Sequence, residues 1–135
     1  MSGDTVIRKV SEPIYTILNA DGTLGALVTG IYDKPPDNTA HPYITIGEAF
    51  ETRDDTFGKR GKDVLTSLHI WSRYNGFREA LLIAERLILL LDEVALSVSG
   101  YDTVYVLHES TETIREQDKE TRHVVVEFRI RVQQS

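Results

Sequence analysis

Four histidines, His41, His69, His108 and His123, are the side chains of this sequence with the widest chemical reach. Imidazole titrates near neutral pH and ligates metals, so a cluster of them serves as a general base or a metal site. His69, His108 and His123 fall in three segments that read as strands, where Glu109 or Glu127 could join them. No HxH, HxxxH or HExxH spacing supports such a site. Polar residues on the solvent side of a sheet give the same pattern. The serines form no Gly-x-Ser-x-Gly elbow, which leaves a hydrolase of that kind without support. Gly58-Lys-Arg-Gly-Lys62 lacks the Walker spacing and its following Ser or Thr, and reads as a solvated loop. There is no cysteine, which removes disulfides, thiolate metal ligands and cysteine nucleophiles. No cofactor is implied by any of these residues.

Two other groups suit contact better than catalysis. Trp71, the only tryptophan, stands beside Arg73 and Tyr74. It fits an interface anchor, and equally a residue that closes one end of the core. Glu127, Arg129 and Arg131 share one face of the last strand, either as a solvated face or as a charged surface paired between subunits.

The elements that position these residues follow from periodicity. Val64, Thr66, Leu68 and Ile70 alternate with Leu65, Ser67, His69 and Trp71, which predicts a strand with the first set facing the core. Asn75-Gly76 ends it, and Ala80, Leu81, Ala84, Leu87, Ile88 and Leu91 then recur at helical spacing. Leu82, Ile83, Leu89 and Leu90 widen this stripe, which implies a large covering sheet or a second buried contact. Arg78, Glu79, Glu85, Arg86 and Asp92 mark the polar side. Earlier in the chain, Ser11-Glu-Pro predicts the start of a first helix, with Ser11 as its cap. Asp21-Gly22 reads as a turn and Leu24–Val28 as a second short helical segment. Ile31-Tyr32 is a short extended piece, followed by a Pro-rich loop to Pro42 and a strand over Tyr43–Phe50. Tyr101–Glu109 predicts a strand with Val104 and Val106 on one face. His123–Val132 predicts the last strand, with Val124, Val126, Phe128, Ile130 and Val132 facing inward. Glu51–Lys62 and Ser110–Thr121 are charged and read as long hairpin tips. The expected fold is α+β: an antiparallel four-stranded sheet of two hairpins, with two main helices packed on one face.

The 135 residues suit a single domain over 1–135, and 41% hydrophobic content suits a globular chain. The longest apolar run, Ala80–Leu91, is too short and too charged to span a bilayer, so no membrane partner is expected. No secretory signal is visible at the start of the sequence. A net charge of −6 and scattered Lys and Arg residues argue against sequence-specific nucleic-acid binding.

Tyr32-Asp-Lys-Pro-Pro, Pro42-Tyr-Ile-Thr-Ile-Gly47 and Leu68-His-Ile-Trp-Ser-Arg73, with Gly76 and Glu79-Ala80, resemble the small tail-completion proteins of tailed phages and prophages. These are also described as tail terminators or tail-to-head joining proteins. The likeness runs from the first helix to the last strand. It implies a virion component without catalytic residues, assembled in the host cytoplasm and located at the head–tail junction. It also implies a ring, typically a hexamer, on the head-proximal end of the tail tube. The implied partners are further copies of the chain, the tail tube protein and the head connector or stopper, with DNA passing through the lumen without specific binding. Interface residues are expected at Trp71, Arg73, Arg129 and Arg131. Others are expected on the tips, at Arg53, Asp54, Asp55, Lys59 and Arg60, and at Arg115, Glu116 and Lys119. The alternatives are a small cytosolic ligand-binding or metal-dependent enzyme domain, and a neighbouring head-completion or stopper protein.

Overall fold

The computed structural model describes residues 5–135. Three helices and five strands follow one another as α1 (Ile7–Ala20), α2 (Gly22–Leu27), β1 (Ile31–Tyr32), β2 (Tyr43–Arg53), β3 (Gly61–Ser72), α3 (Arg78–Leu91), β4 (Tyr101–Arg115) and β5 (Arg122–Gln134). The sheet order is β1-β2-β3-β5-β4. The α+β class holds, but the sheet is mixed and five-stranded. Ile31 and Tyr32 pair in parallel with Ile44 and Thr45 and add a fifth strand. A two-residue piece has too short a pattern to read as a strand, and only its partner gives it one.

The predicted inward faces are correct on the two central strands. Val64, Leu68, Ile70, Val124, Val126, Phe128, Ile130 and Val132 are all buried, as is Thr66. Ala80, Ile83, Ala84, Leu87 and Leu91 of α3 and Val10, Ile14 and Leu18 of α1 cover them from the same side. Leu82 and Leu89 stay exposed on α3, the latter by 70%.

Four local expectations change. The first helix begins at Ile7, ahead of Ser11, and Pro13 lies inside it. Val6, Val10, Ile14 and Leu18 form a four-residue stripe whose burial carries the helix through the proline. Glu51 stabilises its start by accepting hydrogen bonds from the Val6 amide and the Thr5 hydroxyl, both at 2.7 Å. Val104 and Val106 do not share a face, because the register shifts between Thr103 and Tyr105. Val106 is buried, while Val104 is 47% exposed. Both hairpin tips are shorter than expected. The strands run on to Arg53 and resume at Gly61, and run on to Arg115 and resume at Arg122.

The conspicuous stretch from Leu68 to Ala80 has a local explanation. Ser72 is fully buried and donates to Glu79 of α3 at 2.7 Å, while accepting from the Tyr74 amide at 3.1 Å. Gly76 takes a φ of 96°, which turns the chain from strand into helix. At the other end, Asp21 caps α2 through the Leu24 amide and takes both guanidinium arms of Arg86 at 2.9 and 2.7 Å. One carboxylate thus ties the α1–α2 corner to α3, and its pKa is lowered chiefly by the Arg86 bond.

Phe128 is the largest fully buried side chain, beneath α3. Phe128→Ala is expected to cost about 3–5 kcal/mol in urea unfolding with an unchanged two-state slope.

Candidate functional site

The face of the sheet opposite the helices carries most of the candidate residues. Register fixes its rows, read from β2 across β3 and β5 to β4. Tyr43, Trp71, His123 and Ile114 form one row; Thr45, His69, Val125 and Glu112 form the next. Further along, Phe50, Leu65, Arg129 and Leu107 stand side by side, followed by Thr52, Asp63, Arg131 and Tyr105. Among the described residues, no helix or strand covers this face.

Its polar groups are bonded across strands. Glu48 meets His69 Nε2 at 3.1 Å, His69 Nδ1 meets His123 Nε2 at 2.6 Å, and His123 Nδ1 meets Glu116 at 2.9 Å. Trp71 stacks on His123 with ring centroids 3.9 Å apart and donates to Thr45 Oγ1 at 2.9 Å. Three contacts call for three N–H protons, and two neutral imidazoles supply only two. Charging one ring would complete the set, but it would place a cation in a partly buried site. Burial prevails at His123 and lowers its pKa, against the opposing pull of Glu116.

Gly47 belongs to this arrangement. It lies at the irregularity between Ile46 and Ala49, and a Cβ there would come within 2.3 Å of the His69 ring. His108 does not join the other histidines. It pairs with Phe128 on the helix side and bonds Thr111 at 2.7 Å. Among the described residues, no three His, Cys, Asp or Glu side chains are grouped to hold a metal ion.

The arginines are matched by carboxylates. Arg129 bonds Asp63 at 2.9 Å and Glu109 at 2.5 Å; Arg131 bonds the Asp54 carboxylate at 2.5 Å and its carbonyl at 2.8 Å. The tips lie at opposite ends of the sheet, one beside Gly61 and Gln133 and the other beside Ser72 and Arg122. The expected interface residues therefore fall into two groups. Arg53 and Asp55 pair at 2.8 Å in the first tip, with Asp54 held by Arg131 and with Lys59 and Arg60 exposed. Glu116 and Lys119 belong to the second tip, while Arg115 lies over the Phe77 ring at the end of β4. Trp71 and Arg73 line a cleft against that tip, with His41 and Asp118. Asp118 organises it by accepting from the Thr121 and Glu120 amides and the Thr121 hydroxyl, which brings its pKa down to about 2.

The sequence did not point to Glu48. It sits one residue past Gly47 in the β2 irregularity, so strand alternation gives no hint of which way it faces. The sequence also gave no sign of a crevice between α1 and the β1–β2 edge, lined by Ile7, Tyr15, Ile46 and Ala49 among others.

A family model described as "Tail completion protein gp17" matches residues 12–133. The chain belongs to this family. It is a structural protein of the phage tail, a tail terminator of the head–tail junction. Among solved structures, a chain of the virion of a native gene transfer agent particle is 24% identical. It has a TM-score of 0.88 over 96% of this chain and 98% of that one. The bacteriophage SPP1 gp17 protein is 21% identical, with a TM-score of 0.63 over 91% of this chain and 88% of its own. At these identities the two structures establish the common fold. No curated protein sequence matches the chain.

Two outcomes follow for this tail-completion protein. A lowered His123 pKa means that the unfolded chain takes up its proton first as pH falls. Stability is therefore full above the ordinary value of 6.5 and declines as pH drops below it. His41 contributes with the same sign. Urea unfolding between pH 7.5 and 5 is expected to show a shallower decline for His123→Gln than for the native chain. Gly47→Ala is expected to destabilise by about 1–3 kcal/mol, because the His69 ring must leave its place. Imidazole NMR signals would report the loss of the His69–His123 contact.

Proposed function

We propose that copies of this chain close the head-proximal end of the tail tube as a ring, hexameric as the family pattern implies. The ring ends tube growth and offers the head connector a surface to dock on. The single observation that carries this reading is the placement of contact groups: two braced hairpin tips at opposite ends of one sheet, with an uncovered face between them. A subunit that must touch a neighbour, a tube below and a connector above needs contact surfaces pointing in different directions. A ring interface is heterologous, in which one patch meets a different patch on the next copy.

The charge pattern fits DNA passage. Arg129 and Arg131 are held by Asp63, Glu109 and Asp54. With its arginines matched in this way and the chain at −6 overall, the face offers little to hold phosphate. The role proposed is structural, without catalysis. Trp71, Arg73 and the tip residues are assigned to contacts with the tube protein, the connector and neighbouring copies.

Deleting the gene and imaging the lysate by negative-stain electron microscopy tests the reading. Filled heads without tails, beside unattached and over-long tails, are expected, and purified protein should restore joining. A deletion lysate full of normally joined particles would refute it.

A further inference from the structure

We infer that the first hairpin tip is a knob that seats in the α1–β1 crevice of a second copy of this chain. Phe57 is fully exposed at the end of that tip. An aromatic ring wholly in water is costly to leave there unless something covers it. The tip is held firmly enough to present it. Thr56 and Lys59 exchange two backbone hydrogen bonds at 2.9 and 3.0 Å around Phe57-Gly58, and Gly58 takes the φ of 82° that the turn requires. Asp55 accepts from the Gly61 amide at 3.0 Å, Arg131 holds Asp54, and the Gln134 amide donates to the Arg60 carbonyl at 2.7 Å. A knob so braced loses little freedom on binding.

The crevice is open and has a volume of about 850 Å³. It has room for a ring together with the backbone that carries it. Ile7, Tyr15, Ile46 and Ala49 supply apolar wall, and Glu12 and Asp33 outnumber Lys34 among its charged lining residues. It adjoins the part of β2 that β1 leaves uncovered, since β1 pairs only with Ile44 and Thr45.

Three observations select a second copy as the occupant. β2 runs from Ala49 on to Arg53 before the tip begins, so a tip is carried away from the crevice of its own chain. Lys59 and Arg60 follow Phe57 and are exposed, with Asp55 close enough to Arg60 to feel its charge. Their positive charge complements the crevice carboxylates, Asp33 and the Arg8-paired Glu12. Knob and crevice are different patches of one molecule, and such a contact propagates head to tail until it closes.

The inference rests on the ring reading, and the experiment separates the two. The native chain has no cysteine. Lys59→Cys together with Glu12→Cys puts one thiol beside the knob and one at the crevice, with Phe57 left in place. Unfinished tails from the deletion lysate are completed with this purified double variant and oxidised. A ladder of disulfide-linked multiples is expected on non-reducing gels, ending at the ring, while each single variant gives nothing beyond a dimer. Joined particles whose subunits stay monomeric on oxidation, or link to a different virion protein, overturn the contact and leave the terminator role intact. Phe57→Ser decides the matter if the cysteine pair blocks assembly. It is expected to keep the native circular dichroism and urea midpoint and to lower the yield of joined particles on the order of a hundredfold. Native-level joining by Phe57→Ser also overturns the proposal. Joined particles in the deletion lysate before any protein is added would instead sink the ring reading.

Discussion

The structure depends on the unbroken pairing of β3 with β5. Register runs without a shift from Gly61 opposite Gln133 to Ser72 opposite Arg122. The irregularities fall on the outer strands, in β2 near Gly47 and twice in β4. From Val64 to Ser72 and from Val124 to Val132, every second residue of the central pair is buried on the helix side, and a slip by one residue would turn that whole set to solvent. The central strands thus act as a straight edge, and local bends are confined to strands with a free side.

The opposite face is stabilised differently. It contains Phe50, Leu65, Trp71 and Leu107, but also histidines, arginines and carboxylates that bond one another between strands. Glu48, His69, His123 and Glu116 link β2, β3, β5 and the second tip in one row of contacts. Such half-buried networks hold side chains in place while leaving a surface that a partner can still cover.

The stretch from Leu68 to Ala80 has a structural job on both sides of the sheet. Ser72, Gly76 and Glu79 make the strand-to-helix turn that sets α3 over the sheet, and Trp71 and His69 fill the exposed face beside it. Residues with duties on both sides of a sheet tolerate few replacements. A burial pattern, by contrast, accepts many apolar sequences of similar volume.

The inward faces of β3 and β5, most of that of α3, the presence of two charged tips and the α+β class were legible in the sequence, because alternation and helical spacing are properties of consecutive residues. On α3 the fully buried Ile83 takes a place that spacing gave to Leu81 and Ile88, which are half-buried. The partnership of β1, the start of α1 at Ile7 and the split of Val104 from Val106 were not legible. Each depends on what lies opposite in space: Ile44 for β1, the buried stripe for α1, the shifted register for β4. The same holds for the site. Sequence put His69 and His123 in separate strands. Only tertiary pairing set them 2.6 Å apart, left His108 on the other side, and drew in Glu48 and Glu116. Where a strand runs without a bulge, local pattern determines which face a residue takes; the order and register of strands decide which residues meet there, and a register shift reassigns the face.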